Sequence, residues 1–167
     1  MLYTPNKNGA QHYCGPFSVA TITGESFEAI YKRFRSYRSR HGRAIRDRVG
    51  KLIPIRGTWT REVLGVLDRL GYRHVRMEFK DHKRPTLGQV CDDLKYMTDP
   101  ILLNVTGHFI VLKHGWLCDT YTGEPIEWQK YRRLKIKVLQ VLVIKKKKGA
   151  NRDEPVSALS SGTMHPL

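Results

Sequence analysis

The stretch from Phe17 to Thr23 carries no charged residue, although 27% of the residues in this 167-residue chain are charged. An uncharged run of this kind is typical of a helix that is surrounded by protein on every side. Cys14, Gly15 and Pro16 come directly before the run, and proline is tolerated in the first turn of a helix. Gly24 follows it as a natural helix stop. The sequence therefore predicts a buried helix with a cysteine at its first turn.

The length fits one domain that buries its core without disulfides. The formal charge of +15 and the pI near 10.0 indicate attraction to nucleic acid, to an anionic membrane or to an acidic protein. No leader-like segment opens the chain, and no apolar run approaches the length of a membrane span. We therefore expect a soluble protein with no membrane span.

Cysteine usage bounds the chemistry further. Cys14, Cys91 and Cys118 form an odd and widely scattered set, without a C-x-x-C pair or the spacing of a metal site. This pattern predicts a reduced, cytoplasmic setting and no metal or other cofactor. Cys91 and Cys118 are interpreted as core residues.

Charge and glycine content divide the chain into three parts. Residues 1–10 are predicted to be an extended lead-in, and residues 11–145 one folded domain. Within it, residues 35–57 are predicted to be a mobile basic loop with little to anchor it. Residues 146–167 are predicted to be a basic tail that is disordered outside a complex.

Apolar spacing predicts helices followed by strands within the domain. Ser26 is expected to cap a second helix that turns Phe27, Ile30, Tyr31 and Phe34 inward. Thr86 and Gln89 have the spacing of a capping box at the start of a fourth helix. A third helix is expected from Thr58 or Thr60 to Leu70, and strands over 72–79, 101–105, 108–113, 116–120 and 136–144. The fold class is therefore α+β, with the Cys14 helix and other N-terminal helices packed on a C-terminal antiparallel sheet.

The spacing of a tight hairpin at His114 and Gly115 predicts which side chains of the two flanking strands lie close together. If His114 and Gly115 form a two-residue turn, side chains that alternate along the strands place His108 and Asp119 on one face. They become diagonal neighbours on adjacent strands, within reach of a hydrogen bond between carboxylate and imidazole. The same register puts Leu112 opposite Leu117 and Val111 opposite Cys118.

These residue types suit thiol chemistry. A helix N-terminus and a nearby imidazolium both lower the pKa of a cysteine, and a carboxylate fixes the tautomer of the imidazole. Acyl transfer also needs donors for the oxyanion, for which the Cys14 N–H and the side-chain amide of Gln11 are candidates. Gly15 is expected to keep the approach to Cys14 open.

The segments Cys14-Gly15-Pro16 and Gly107-His108-Phe109-Ile110-Val111, with Asp119 after a hairpin, resemble the papain-like cysteine peptidases. The nearest likeness is to the branch that processes bacteriocin leaders and to compact phage-encoded relatives. The resemblance implies a papain-like α+β fold, a Cys14 nucleophile, a His108 base and Asp119 as its orienter. It implies a peptide or protein substrate, and host cytoplasm or virion as the location. The sequence departs from the family at Gln11, because the family's oxyanion glutamine lies further upstream, at the spacing that Asn8 occupies here.

Other interpretations stay open. Cys14 and His108 are also compatible with plain core roles, and Asp119 with capping the turn at Thr120 to Gly123. The basic side chains suit either solvation or contact with nucleic acid or an acidic protein; they are Arg38, Arg40, Arg43, Arg46, Arg48, Lys145, Lys146, Lys147 and Lys148. The alternatives to a thiol hydrolase are therefore a nucleic-acid-associated protein, such as a phage virion or DNA-associated protein, and an inactive papain-like binding module.

Overall fold

The computed structural model describes residues 13–55, 57–77, 79 and 83–149. Neighbouring strands in its six-stranded sheet are all antiparallel. This arrangement confirms the α+β class. None of the helices in these ranges is long and apolar enough to cross a membrane. The elements are α1 (Cys14–Thr23), α2 (Phe27–Arg40), α3 (Thr60–Arg69), β1 (Tyr72–Met77), α4 (Leu87–Leu94), β2 (Ile101–Val105), β3 (His108–Lys113), β4 (Trp116–Cys118), β5 (Ile126–Glu127) and β6 (Gln140–Lys146). In the sheet the strands lie in the order β1-β6-β2-β3-β4-β5.

The sheet carries one hydrophobic cluster on each face. Helices α1, α2 and α3 pack on the first face, where Phe109 and Val111 of β3 join their side chains. Helix α4 packs on the second face, with Ile110 and Leu112 of the same strand. Because side chains alternate along a strand, β3 contributes to both clusters and lies buried between two helical layers.

Helix α1 is buried from its first residue to Ile22, as its lack of charge predicts. The helix stops at Gly24, whose φ of 75° lies in the left-handed region that glycine adopts without strain. Thr21 donates its hydroxyl to the Phe17 carbonyl at 3.0 Å. That bond satisfies a polar side chain inside the core, so a β-branched residue is tolerated there.

Two tight turns fix the position of β3. Thr106 and Gly107 before it, and His114 and Gly115 after it, all have positive φ, the signature of a type I′ turn. The predicted register is confirmed, since Val111 pairs with Cys118 and Leu112 with Leu117. The β4 strand ends at Cys118 rather than at Thr120, because the chain turns away from β3 at the next residue.

The prediction of a loop over residues 35–57 is wrong in its first part. Helix α2 continues to Arg40, and the Arg38 guanidinium donates to the Glu62 carboxylate from Nε at 3.0 Å and from Nη2 at 3.1 Å. Arg38 is only 7% exposed, so it is not available to an outside partner. The remaining connection to α3 includes a small hairpin closed by a bridge between Arg46 and Leu52. The prediction assumed that little anchors this segment, whereas Glu62 of α3 binds Arg38.

The C-terminal boundaries also differ from those predicted. The last strand begins at Gln140 rather than at residue 136 and continues through Lys146. Lys145 and Lys146 therefore belong to the sheet, and Lys147 forms an ion pair with Asp68 at 2.7 Å. The predicted lead-in, residues 1–10, and the tail from residue 150 onward lie outside the described residues.

The predicted helix starts are confirmed. Ser26 accepts a hydrogen bond from the Ala29 N–H at the start of α2. Thr86 and Gln89 form the expected capping box of α4. Helix α4 ends at Leu94.

Candidate active site

Cys14, His108 and Asp119 come together at one end of β3. Cys14 is the first residue of α1, His108 the first residue of β3, and Asp119 directly follows β4. The helix approaches from the first face of the sheet, whereas the side chain of His108 alternates to the second face with Ile110. The cysteine and the histidine therefore meet at the rim of the sheet, where the two layers adjoin.

Asp119 holds the histidine ring. His108 Nε2 lies 2.5 Å from Asp119 Oδ1, and Asp119 is completely buried. The same carboxylate accepts the Tyr121 N–H at 3.2 Å and the hydroxyl of Tyr131. Asp119 thus both caps the turn after β4 and contacts the imidazole.

The histidine and aspartate form a charged pair. Burial lowers the pKa of His108, but its hydrogen bonds to Asp119 and Cys14 outweigh burial and raise the pKa to about 9. Burial raises the pKa of Asp119, and the bonds from His108 and Tyr131 more than reverse this, so the pKa lies below its ordinary value. At neutral pH an imidazolium therefore faces a carboxylate.

Cys14 is 5% exposed, and hydrogen-bond donors surround its thiol. Burial raises its pKa, but hydrogen bonds to His108 and to the Phe109 backbone, with the charge of His108, bring the pKa below the ordinary thiol value. Because Nε2 is bound to Asp119, Nδ1 is the ring nitrogen left for the sulfur. The arrangement favours a thiolate beside an imidazolium.

The end of a strand pair supplies one of these donors. Pairing between β3 and β4 stops at Val111 and Cys118. Phe109 lies two residues earlier on β3, beyond the last pair, and its N–H points to the side that β4 has left, because hydrogen-bonded pairs alternate along an antiparallel ladder. The Cys14 sulfur takes this amide as its partner. The early end of β4 therefore frees a donor for the thiolate.

Thr58 fills the space beside Gly15. A Cβ added to Gly15 would lie 2.0 Å from the Thr58 Oγ1 atom and 2.6 Å from its Cβ. The expectation that Gly15 leaves the approach to Cys14 open is therefore wrong: the glycine admits the threonine. Among the described residues the buried Thr58 hydroxyl bonds to no other group, which leaves it free to donate to a Cys14 thiolate, and this donation helps to lower the thiol pKa.

Gln11, the predicted oxyanion donor, lies outside the described residues, as does Asn8. The backbone N–H of Cys14 stands at the first position of α1, where amides have no intrahelical acceptor. It remains a candidate donor for an oxyanion.

Sequence reasoning missed three groups at this site: Thr58, the Phe109 amide and Tyr131. No local pattern marks them, because Thr58 and Tyr131 reach the site by tertiary packing and the Phe109 N–H is free only because pairing with β4 ends at Val111. The His108 and Asp119 positions had a signal in the turn spacing, and Cys14 in the uncharged helix.

The other predicted contact residues are spread over the surface. Lys145 lies 3.7 Å from Asp99, and Arg43 pairs with Glu62 and approaches the ring of Trp59. Arg40, Arg46, Arg48, Lys146 and Lys148 are exposed. Within the described ranges no three His, Cys, Asp or Glu residues are placed to hold a metal ion.

Comparisons with protein-family models, with curated proteins and with solved structures found no match for this chain.

Proposed function

We propose that this protein is a thiol hydrolase of the papain-like type that cleaves peptide or isopeptide bonds. Cys14 is the nucleophile, His108 moves the proton and Asp119 holds His108. The observation that carries the proposal is the chain of contacts from the buried Asp119 carboxylate through the His108 ring to the thiol at the start of α1. Three side chains from three separate segments of the chain in one such relay are typical of nucleophilic catalysis.

The reaction follows from the charges of the resting site. The Cys14 thiolate attacks the carbonyl carbon, and the electron pair of the C=O bond moves to the oxygen. As the C–N bond breaks, the imidazolium of His108 gives its proton to the leaving nitrogen, so an amine departs and a thioester remains. His108, now neutral, takes a proton from water as the water oxygen attacks the thioester. The thiolate leaves, the acid is released, and the imidazolium is restored.

The pH dependence of Cys14 alkylation tests the proposal. Iodoacetamide labelling, followed by mass spectrometry of the Cys14 peptide, is measured from about pH 5 to about pH 10. We expect wild-type Cys14 to react at a nearly constant rate through neutral pH, because its lowered pKa keeps the thiolate populated. His108→Gln should slow labelling at neutral pH on the order of a hundredfold, because the thiol loses its cationic neighbour.

His74→Gln is the matched control, because His74 is exposed on β1. It should label like the wild type. A wild-type Cys14 that reacts only above the ordinary thiol pKa of about 8.5 would contradict the proposal. Cleavage of a peptide library should give a bell-shaped profile that falls as pH rises through about 9, where His108 loses the proton needed by the leaving amine.

A second function has support in the exposed basic hairpin after α2. Asp47 Oδ1 accepts the N–H groups of Val49 and Lys51, and this turn presents Arg46 and Arg48 to solvent. Such a surface suits sequence-independent contact with nucleic-acid phosphates. Salt-dependent DNA retention that is lost in Arg46→Gln/Arg48→Gln but unchanged in Cys14→Ala would support this function.

A further inference from the structure

We propose that the Cys14 site takes an acidic polypeptide segment, held between two aromatic side chains that carry arginines, Trp59 and Tyr121. This inference rests on the proposed function, since it names the substrate class of the same site. Trp59 directly follows Thr58, which packs on Gly15 next to Cys14, and the ring of Tyr121 lies against the ring of His108.

Trp59 marks the cysteine side. It directly follows Thr58, which packs on Gly15, and 55% of Trp59 is exposed. Two guanidinium carbons lie over its indole ring, that of Arg61 at 4.3 Å and that of Arg43 at 5.6 Å from the ring centroid. Cation–π contacts of this kind restrain long side chains that otherwise move freely. The indole therefore restrains two arginines at the residue next to the threonine that packs beside Cys14.

Tyr121 marks the histidine side. Its ring centroid lies 4.7 Å from that of His108, and 49% of the residue is exposed. The guanidinium carbon of Arg133 lies 5.8 Å from the same tyrosine ring. The exposed Tyr121 ring therefore lies between the His108 imidazole and the Arg133 guanidinium.

The carboxylates in contact with these groups are already neutralised. Glu62 is buried and accepts from both Arg38 and Arg43, and the buried Asp119 is bound by His108 and Tyr131. Among the described residues, Arg61 and Arg133 have no carboxylate within ion-pair distance. Two fixed cations beside a site without a free anion favour a negatively charged ligand.

The chemistry of the site favours polypeptide over nucleic acid as that ligand. A thiolate paired with an imidazolium attacks acyl carbons, which peptide bonds provide and a phosphodiester chain does not. The two guanidinium groups over the Trp59 ring also compete with bases for the aromatic stacking that single-stranded nucleic acids need. A peptide with Asp and Glu side chains near the scissile bond supplies carboxylates for the arginines and a carbonyl carbon for Cys14.

Binding is measured first, without turnover. Full-length Cys14→Ala is titrated with a fluorescein-labelled peptide that alternates glutamate with alanine, and with the same peptide carrying glutamine, by fluorescence anisotropy. We expect the acidic peptide to bind at least about fivefold more tightly at low salt, and the difference to shrink at high salt. Equal binding of the two peptides would overturn the proposal.

The arginines are then tested against a matched pair. Arg61→Gln/Arg133→Gln should remove most of the preference for the acidic peptide. Arg73→Gln/Lys146→Gln removes the same formal charge from the β1 and β6 edge and should keep the preference. If both double variants lose the preference for the acidic peptide to a similar extent, net charge alone is responsible, and the proposal of a specific site at Arg61 and Arg133 is contradicted.

Two further outcomes separate this inference from the proposed function. A single-stranded DNA that binds more tightly than the acidic peptide, through Arg61 and Arg133, would overturn the proposal. Preference for the acidic peptide in an enzyme whose wild type cleaves nothing and whose Cys14 labels as an ordinary thiol would support the ligand class and contradict the hydrolase. Cleavage of a peptide library at sites rich in Asp and Glu, with that enrichment lost in Arg61→Gln/Arg133→Gln, would support both.

Discussion

The two faces of the sheet each bury a helical cysteine, yet they treat the thiol in opposite ways. Cys14 begins α1 on the first face, and its pKa lies below the ordinary value because hydrogen bonds and the charge of His108 outweigh burial. Cys91 lies inside α4 on the second face, where burial raises the pKa of its thiol to about 12. The two residues are similarly hidden from solvent, at 5% and 0% exposure.

Burial therefore does not distinguish a reactive cysteine from a structural one. The difference lies in position: Cys14 sits at a helix start on the rim of the sheet, where unpaired amides and side chains of both layers converge. Cys91 is surrounded by apolar neighbours such as Leu87 and Val90. Cys118 behaves like Cys91, since burial raises its pKa to about 11, although it belongs to the same cluster as Cys14.

The largest predicted effect is the loss of peptide cleavage when Cys14, but not Cys91, is replaced by alanine. Cys14→Ala should reduce peptide cleavage at least about a thousandfold, because no other group takes the place of the nucleophile. Cys91→Ala should leave cleavage unchanged and lower the free energy of unfolding by about 1 kcal/mol. Steady-state kinetics and urea denaturation of both variants measure this. Equal activity of Cys14→Ala and wild type would remove the distinction between the two regions.

The second prediction compares how each face is stabilised. Glu62 is buried beside α2 and anchors Arg38. Glu62→Gln should lower the free energy of unfolding by about 3–5 kcal/mol, because it leaves the Arg38 charge buried without its partner. Leu87→Ala on the second face should cost about 2–5 kcal/mol by opening a cavity. Urea denaturation measures both variants.

The pH dependence separates these two variants. Burial raises the pKa of Glu62, but the bonds from Arg38, the Trp59 N–H and Arg43 hold it below its ordinary value of 4.5. Its stabilisation is therefore present above about pH 4.5 and is lost as pH falls through the lowered pKa. The deficit of Glu62→Gln should shrink in acid, whereas that of Leu87→Ala should not. A deficit of Glu62→Gln that stays constant with pH would show that the ion pair contributes little.

The sequence predicts more of the site than of its surroundings. Periodicity and turn spacing locate α1 and the register of β3 and β4, because these features depend on residues close together in the chain. Arg38 illustrates the limit: its partner Glu62 lies on another helix, and no spacing rule connects them. Thr58 and Tyr131 are of the same kind, since they reach Cys14 and Asp119 by tertiary packing alone. The short β4 is a further case, because the turn that Asp119 stabilises ends the strand early.

The smallest predicted effect concerns the threonine that distinguishes the surroundings of Cys14 from those of Cys91. Thr58→Val keeps the shape that packs on Gly15 and removes the hydroxyl. The pKa of Cys14 should then rise by up to about one unit, the value of one hydrogen bond to the thiolate. The midpoint of iodoacetamide labelling against pH measures it.

Two further variants decide whether the hydroxyl of Thr58 acts on the thiolate. Thr58→Ser keeps the donor and should restore the wild-type midpoint. Thr60→Val removes a hydroxyl that bonds instead with Gln140 at 3.3 Å and Asn104 at 3.2 Å, so it should leave the midpoint unchanged. If Thr58→Val folds and labels with the wild-type midpoint, the threonine only fills space, and the low pKa of Cys14 rests on His108 and the Phe109 amide alone.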